Sequence, residues 1–162
     1  LQGIVQLYGD CIDIDLQDHN GDTVVHLASS TDATTEQFFL LFRLCSADVT
    51  IVNSQGEAPL HKAIGANSLI AVEQLLKSGA EVNARNGEGR TALHLAVRLG
   101  VDLEIVSKLL EENADRHLTD SDGLTPLQYA LGGGDCSNVG EREGYDQLLS
   151  LLQPEVDDQV SG

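Results

Sequence analysis

Histidines His26, His61 and His94 recur at near-constant spacing, and imidazole is a common zinc ligand. Aspartates Asp10, Asp13, Asp15 and Asp18 crowd a short stretch, as they would in a calcium loop. An EF-hand loop needs the pattern D-x-[DN]-x-[DN]-G. Counting from Asp13, the fifth position is Gln17 and the sixth is Asp18, so the pattern fails. Asp120-Ser121-Asp122-Gly123 fails in a similar way, and both stretches read as solvated turn residues. Gly132 to Gly134 lacks the G-K-[ST] and the preceding buried strand of a phosphate loop. Cys45 and Cys136 have no credible nearby base, and there is no serine nucleophile elbow. No catalytic constellation emerges, so the chain is not read as an enzyme and no cofactor or metal is expected.

The histidines lead instead to the elements that hold them. Each lies in one copy of a short motif: TVVHLA at Thr23–Ala28, APLHKA at Ala58–Ala63 and TALHLA at Thr91–Ala96. A fourth copy, TPLQYA at Thr125–Ala130, carries Gln128 at the histidine position. The starts lie 35, 33 and 34 residues apart, each with a glycine two residues ahead: Gly21, Gly56, Gly89 and Gly123. A second element shares the period: LCSADV from Leu44, LLKSGAEVN from Leu75 and LLEENAD from Leu109, with a degenerate CIDID from Cys11. From Ile12, Ala47, Ala80 and Ala114 to the next motif start is always 11 residues. Length is therefore fixed across the connecting turn and varies within the helical half.

The periodicity predicts two helices per unit. Ala92–Leu99 is apolar almost throughout, as a short buried helix would be. Leu103–Leu110 carries Leu103, Ile105, Val106, Leu109 and Leu110 on one face. Thr91 and Thr125 can cap helix starts with their hydroxyls. Pro59 and Pro126 sit where a missing N–H costs nothing, and Gly79 suits a left-handed helix end. No unit of this size buries its apolar faces alone, so neighbours must stack.

These residues resemble the ankyrin repeat, whose pattern is a glycine, T-P-L-H-x-A, a loop, L-L-x-x-G-A-D-V-N and a β-turn. The resemblance spans about residues 4–152 and implies an all-α solenoid of helix–loop–helix units with β-hairpin fingers. It implies a trailing outer helix at 4–10 and repeats at about 18–50, 51–83, 84–117 and 118–152, within a domain of 1–152. It also implies that each histidine bonds the backbone of the neighbouring finger. Adjacent histidines should then stand about 10 Å apart, like packed helices, too far to share one zinc.

The sequence departs from the pattern in places. The first repeat has Val24 at the proline position and gathers Phe38, Phe39 and Phe42, which read as a larger local core or as an exposed anchor. The fourth repeat carries a glycine-rich insertion from Gly132 to about Gly144 before a helix resumes at Tyr145–Leu152. Residues 153–162 form an acidic stretch expected to be disordered. Asn83, within LLKSGAEVNA, resembles the sequence accepted by the asparaginyl hydroxylase that modifies ankyrin repeats, or it simply stabilises its turn.

Composition narrows the partners. The 162 residues carry 9 Lys and Arg against 26 Asp and Glu, a formal net charge of −17, which disfavours nucleic acid and anionic lipid. The longest apolar run, near Phe38 to Phe42, is far below the roughly 18 residues of a membrane span. Three cysteines without C-x-x-C spacing fit reduced thiols in the cytoplasm, or the nucleus. Residue 1 is leucine and the chain has no methionine, which points to a segment of a longer intracellular protein.

The resemblance implies a scaffold module, monomeric as a fragment, that binds a protein or peptide on its concave face. Carried over by position, the finger residues are His19, Asn20, Asp22, Ser54, Gln55, Glu57, Glu88, Arg90, Asp122 and Leu124. The inner-helix ends are Ser30, Thr31, Gly65, Ala66, Arg98 and Leu99. Arg85, Arg90 and Arg98 are expected to form a basic spot for a carboxylate or phospho-group. Two other roles stand beside the scaffold: the substrate-recruiting part of a ligase, kinase or lipid-modifying enzyme, and an inhibitor of a transcription factor.

Overall fold

The computed structural model describes residues 13–31, 34–39, 46–132 and 144–153. The expected helix at 4–10, most of the glycine-rich insertion, the segment 154–162, Phe42 and all three cysteines lie outside the described residues. The described helices are α1 (Val24–Ser29), α2 (Thr35–Phe39), α3 (Pro59–Gly65), α4 (Leu69–Lys77), α5 (Ala92–Leu99), α6 (Leu103–Glu111), α7 (Pro126–Ala130) and α8 (Tyr145–Leu152). They form two layers. In the inner layer α1, α3, α5 and α7 pack in succession, and in the outer layer α2, α4, α6 and α8 do the same.

Helices of five to nine residues are marginal in water, so packing must stabilise them. The inner α5 is buried from Ala92 to Val97 because it is flanked by α3, α7 and α6. The outer α6 buries only Ile105, Val106 and Leu109, the face that its apolar spacing marks. Phe38 is fully buried, which settles its side of the aromatic cluster as core.

Helix ends follow their residue chemistry. The Thr91 and Thr125 hydroxyls accept from the His94 and Gln128 amides at 3.5 and 3.3 Å. Pro59 and Pro126 open α3 and α7. Gly79 adopts φ +90° beyond α4, and Ser46 and Asn113 take left-handed values at the equivalent positions. Thr34 and Gln37 exchange bonds across the first turn of α2, with Gln37 Oε1 accepting from the Thr34 amide at 2.8 Å.

The fingers close in tight turns, and no strand occurs among the described residues. Each turn opens on an Asp or Asn three residues before its glycine: Asp18, Asn53, Asn86 and Asp120. Asn86 Oδ1 accepts from the Glu88 and Arg90 amides, both at 3.0 Å, while the Gly89 amide donates to the Asn86 carbonyl at 2.9 Å. Asp18, Asn53 and Asp120 repeat this arrangement. Gly56 stands at φ +72°, and a Cβ there would lie 2.8 Å from the Gly87 nitrogen, so the position excludes a side chain.

Two sets of bonds join neighbouring units. At the tips, the Ser54 amide donates to the Asn20 carbonyl, Gly87 to Gln55 and Ser121 to Glu88, at 2.9, 2.9 and 3.0 Å. Beneath them, the Nε2 atoms of His26, His61 and His94 bond the carbonyls of Glu57, Arg90 and Leu124 at 2.9, 3.2 and 3.0 Å. Nδ1 of each ring accepts from the amide of its own N-cap residue: Thr23, Ala58 or Thr91. This network assigns the neutral tautomer with the proton on Nε2. Gln128 makes the local half of the contact, its Oε1 accepting from the Thr125 amide at 2.8 Å.

Burial holds the His61 and His94 imidazoles below the ordinary histidine range, and their partial hydrogen-bond compensation does not reverse this. A depressed folded pKa means that the unfolded chain takes protons first. The stability from both rings is complete above the unfolded value of 6.5 and is lost as pH falls through their lower folded values. Urea unfolding is therefore expected to show a midpoint that declines from about pH 7 to about pH 5. His94→Gln should flatten that slope and lower stability at neutral pH by about 1 kcal/mol.

Candidate partner-binding face and the contacts beneath it

The finger turns and the C-terminal ends of the inner helices hold most of the expected binding residues at the surface. His19, Asn20, Ser54, Gln55, Glu88 and Asp122 are exposed on the turns, and Leu124 is half-buried. Ser30, Thr31, Gly65, Ala66 and Leu99 are exposed at or just beyond the helix ends, with Arg98 half-buried beside them. Rigid turns and short helices present these groups in a fixed order, because each turn is closed by its own Asp or Asn.

Three expected contact residues are drawn inward. Asp22 is buried: its Oδ1 accepts from Asn53 Nδ2 at 2.8 Å, and its Oδ2 lies 3.6 Å from Lys62 Nζ. Lys62 also reaches Glu57 Oε2 at 3.3 Å, which leaves Glu57 half-buried. Asp22 and Glu57 thus share one cation between adjacent units. Their role is to bind one unit to the next.

Arg90 corrects the expected basic spot most clearly, since it is only 8% exposed. Its Nε donates to Tyr129 Oη at 3.1 Å, and Tyr129 donates in turn to Asp120 Oδ2 at 2.7 Å. Arg90 also pairs with Glu88 and lies 3.5 Å from Asp120. The guanidinium carbon stands 5.7 Å from the Tyr129 ring centre, and His94 meets that ring edge-on. Burial works against the Arg90 charge, but Tyr129, Glu88 and Asp120 outweigh it and raise its pKa. Burial also opposes Asp120 ionisation, yet bonds from Tyr129 and the Leu124 and Asp122 amides hold its carboxyl below the usual range. Burial and the bond to Asp120 raise the Tyr129 phenol. Arg85 is likewise engaged, donating to the Thr119 carbonyl at 2.7 Å. Arg85 and Arg90 are thus both engaged within the fold, which draws two of the three expected cations away from an open basic spot.

Asn83 also works between units. Its Oδ1 accepts from the Asp115 amide at 2.8 Å, and its Nδ2 donates to the Asn113 carbonyl at 3.3 Å. Asp15 occupies the same place two units earlier, accepting from the Asp48 amide at 2.8 Å.

Sequence reading missed several members of this region. Leu27 and Leu131 are exposed apolar side chains, at 49% and 63%. Asn53, Lys62, Asp120 and Tyr129 lie beneath the face. The recurring Asp or Asn three residues before each glycine was a readable signal; the pairing of Tyr129 with Arg90, 39 residues away, carried none.

Tyr129→Phe keeps the ring but removes the hydroxyl that joins two buried charges. Urea unfolding should register a loss of about 1–3 kcal/mol. Asp122→Asn, on the exposed turn, should stay within about 0.5 kcal/mol of the parent. Equal effects from the two substitutions would contradict the arrangement.

Comparison with known proteins agrees with this architecture. A family model described as ankyrin repeats (3 copies) matches residues 2–86, and one described as ankyrin repeats (many copies) matches residues 75–130. The chain is similar to the nuclear factor NF-kappa-B p105 subunit of Gallus gallus, at 36% identity over 89% of this chain and 15% of that protein. It is similar to the B-cell lymphoma 3 protein homolog of Mus musculus, at 35% identity over 74% of this chain and 26% of that protein. It is also similar to NF-kappa-B inhibitor delta of Mus musculus, at 32% identity over 71% of this chain and 36% of that protein. The chain therefore spans well under half the length of these relatives. Among the described residues, no helix is long and apolar enough to cross a membrane. The repeated motif, the two helical layers and the family matches agree: this chain belongs to the ankyrin repeat family, whose repeats are protein–protein interaction modules.

Proposed function

We propose that the finger turns and inner-helix ends form one face that recognises a basic, partly apolar segment of a partner protein. The observation that carries this reading is the unequal use of charge. Lys62 is held by Asp22 and Glu57, and Arg90 by Glu88, Asp120 and Tyr129. Carboxylates at Asp18 and Asp122 remain exposed beside them. The overall charge of −17 would speed the approach of a cationic partner. Leu27 and Leu99 supply apolar contact on the same helix layer.

The contact set is His19, Asn20, Gln55, Glu88, Asp122 and Leu124 from the fingers, with Ser30, Thr31, Gly65, Ala66, Arg98 and Leu99 from the helix ends. Asp22, Glu57 and Arg90 support this set from below. The module acts by binding, without catalysis of its own, as a monomer in the cytoplasm or nucleus. A second reading, inhibition of a transcription factor, gains support from the likeness to NF-kappa-B inhibitor delta. Both readings use the same face.

Asn83 is proposed as an acceptor for asparaginyl hydroxylation. Incubation with that hydroxylase followed by mass spectrometry should find one added oxygen on Asn83; an unmodified peptide removes the assignment.

Affinity capture with this chain, followed by calorimetry on the captured protein, tests the face. Combining Leu99→Ser with Asp122→Lys should weaken binding by about tenfold or more, since few residues dominate an interface. Unchanged affinity would overturn the assignment. A captured partner that proves to be a transcription factor silenced by this chain would select the second reading.

A further inference from the structure

One position in the finger stems changes its work along the stack. Gln17, Val52, Arg85 and Thr119 each precede the Asp or Asn that opens a turn. Gln17 Nε2 donates to the Gly21 carbonyl of its own turn at 2.6 Å and to the Val52 carbonyl of the next stem at 2.9 Å. Arg85 does the same further along. Its guanidinium donates to the Gly89 carbonyl at 3.4 Å and to the Thr119 carbonyl at 2.7 Å. Each side chain therefore fastens a turn to the stem that follows it.

Between these two junctions stands Val52, whose side chain has no N–H to donate. The corresponding acceptors are the Gly56 and Arg85 carbonyls, and among the described residues no backbone amide donates to either. Val52 is 49% exposed. Beside Val52 lies a groove of about 510 Å³ whose lining includes Val49, Val52, Leu60 and Leu118 together with Glu81 and Arg85.

We propose that this groove binds an arginine side chain presented by a partner protein. A guanidinium is a planar fork of donors with no acceptor, so it can serve two carbonyls at once. Its methylene stem suits the valine and leucine walls. Glu81 and the net charge of −17 favour a cation, and the Arg85 guanidinium of the lining is already held by the Gly89 and Thr119 carbonyls. The molecule holds its own precedent, since the Arg85 guanidinium already spans the equivalent pair of carbonyls one unit along. The groove lies outside the residues assigned to the finger-and-helix face, so the two readings stand or fall separately.

The test is a two-dimensional NMR titration of the ¹⁵N-labelled chain with the capped tripeptide Gly-Arg-Gly, at about 0.15 M salt to suppress unspecific attraction. Saturable shifts should be confined to amides of residues 49–60, 80–86 and Leu118. The capped Gly-Lys-Gly peptide should bind at least about threefold more weakly, because a compact, strongly hydrated ammonium is costlier to seat beside the valine and leucine walls than a weakly hydrated guanidinium. Val52→Arg and Val52→Gln fill the place internally and should both abolish the response. They should also raise the thermal midpoint by about 2–4 °C. Absence of saturable shifts, equal shifts with the lysine peptide, or a response that survives both substitutions would overturn the proposal.

Discussion

The bond from an inner-helix imidazole to the carbonyl of the next finger is the constraint on which this molecule depends. No unit buries its own helices, so each must be held in register against a neighbour. His26, His61 and His94 do this from inside the apolar layer, reaching Glu57, Arg90 and Leu124. The same ring receives the amide of its own helix cap through Nδ1, so one side chain fixes a helix start and a distant turn together. The ring has to be neutral and correctly oriented for both. Protonation converts Nδ1 from acceptor to donor and breaks the local half of the contact.

Upon that frame, charge is distributed by layer. Lys62 and Arg90 sit low, where acidic groups of their own and of adjacent units neutralise them. The tips keep their carboxylates in water. This division explains how a chain with so few cations still uses them structurally: a buried or half-buried carboxylate without a partner would be costly. Lys62 and Arg90 offset that cost at the first and third junctions.

Much of this was legible in the sequence because it is local. The period of the motif located α3, α5 and α7, the apolar spacing located α6, and the return of the repeat after its insertion located α8. Thr91, Pro59 and Gly79 act through bonds or torsions within a few residues, so their roles could be read from their types. The fates of Asp22 and Arg90 could not. Each is decided by residues from a neighbouring unit, Asn53 and Lys62 for one and Asp120 and Tyr129 for the other, at separations of about 30 to 40 residues. Position within the repeat marked both as surface residues; only the identity of the neighbour turned them inward. The turn-opening Asp and Asn residues lay between these cases, since their spacing was visible but was overlooked in favour of the glycines.

The pairing of Arg90 with Tyr129 also bears on how such a stack can be rearranged. By repeat position Tyr129 corresponds to Lys62, and Arg90 to Glu57 and Asp22. A fourth unit rebuilt as a copy of the second would set a lysine where Arg90 now finds a phenol. Two cations would then face each other in a nearly dry space. The units share one backbone plan, yet their side chains prescribe a sequence of neighbours, so the order of the stack is written into its junctions and the copies are not interchangeable parts.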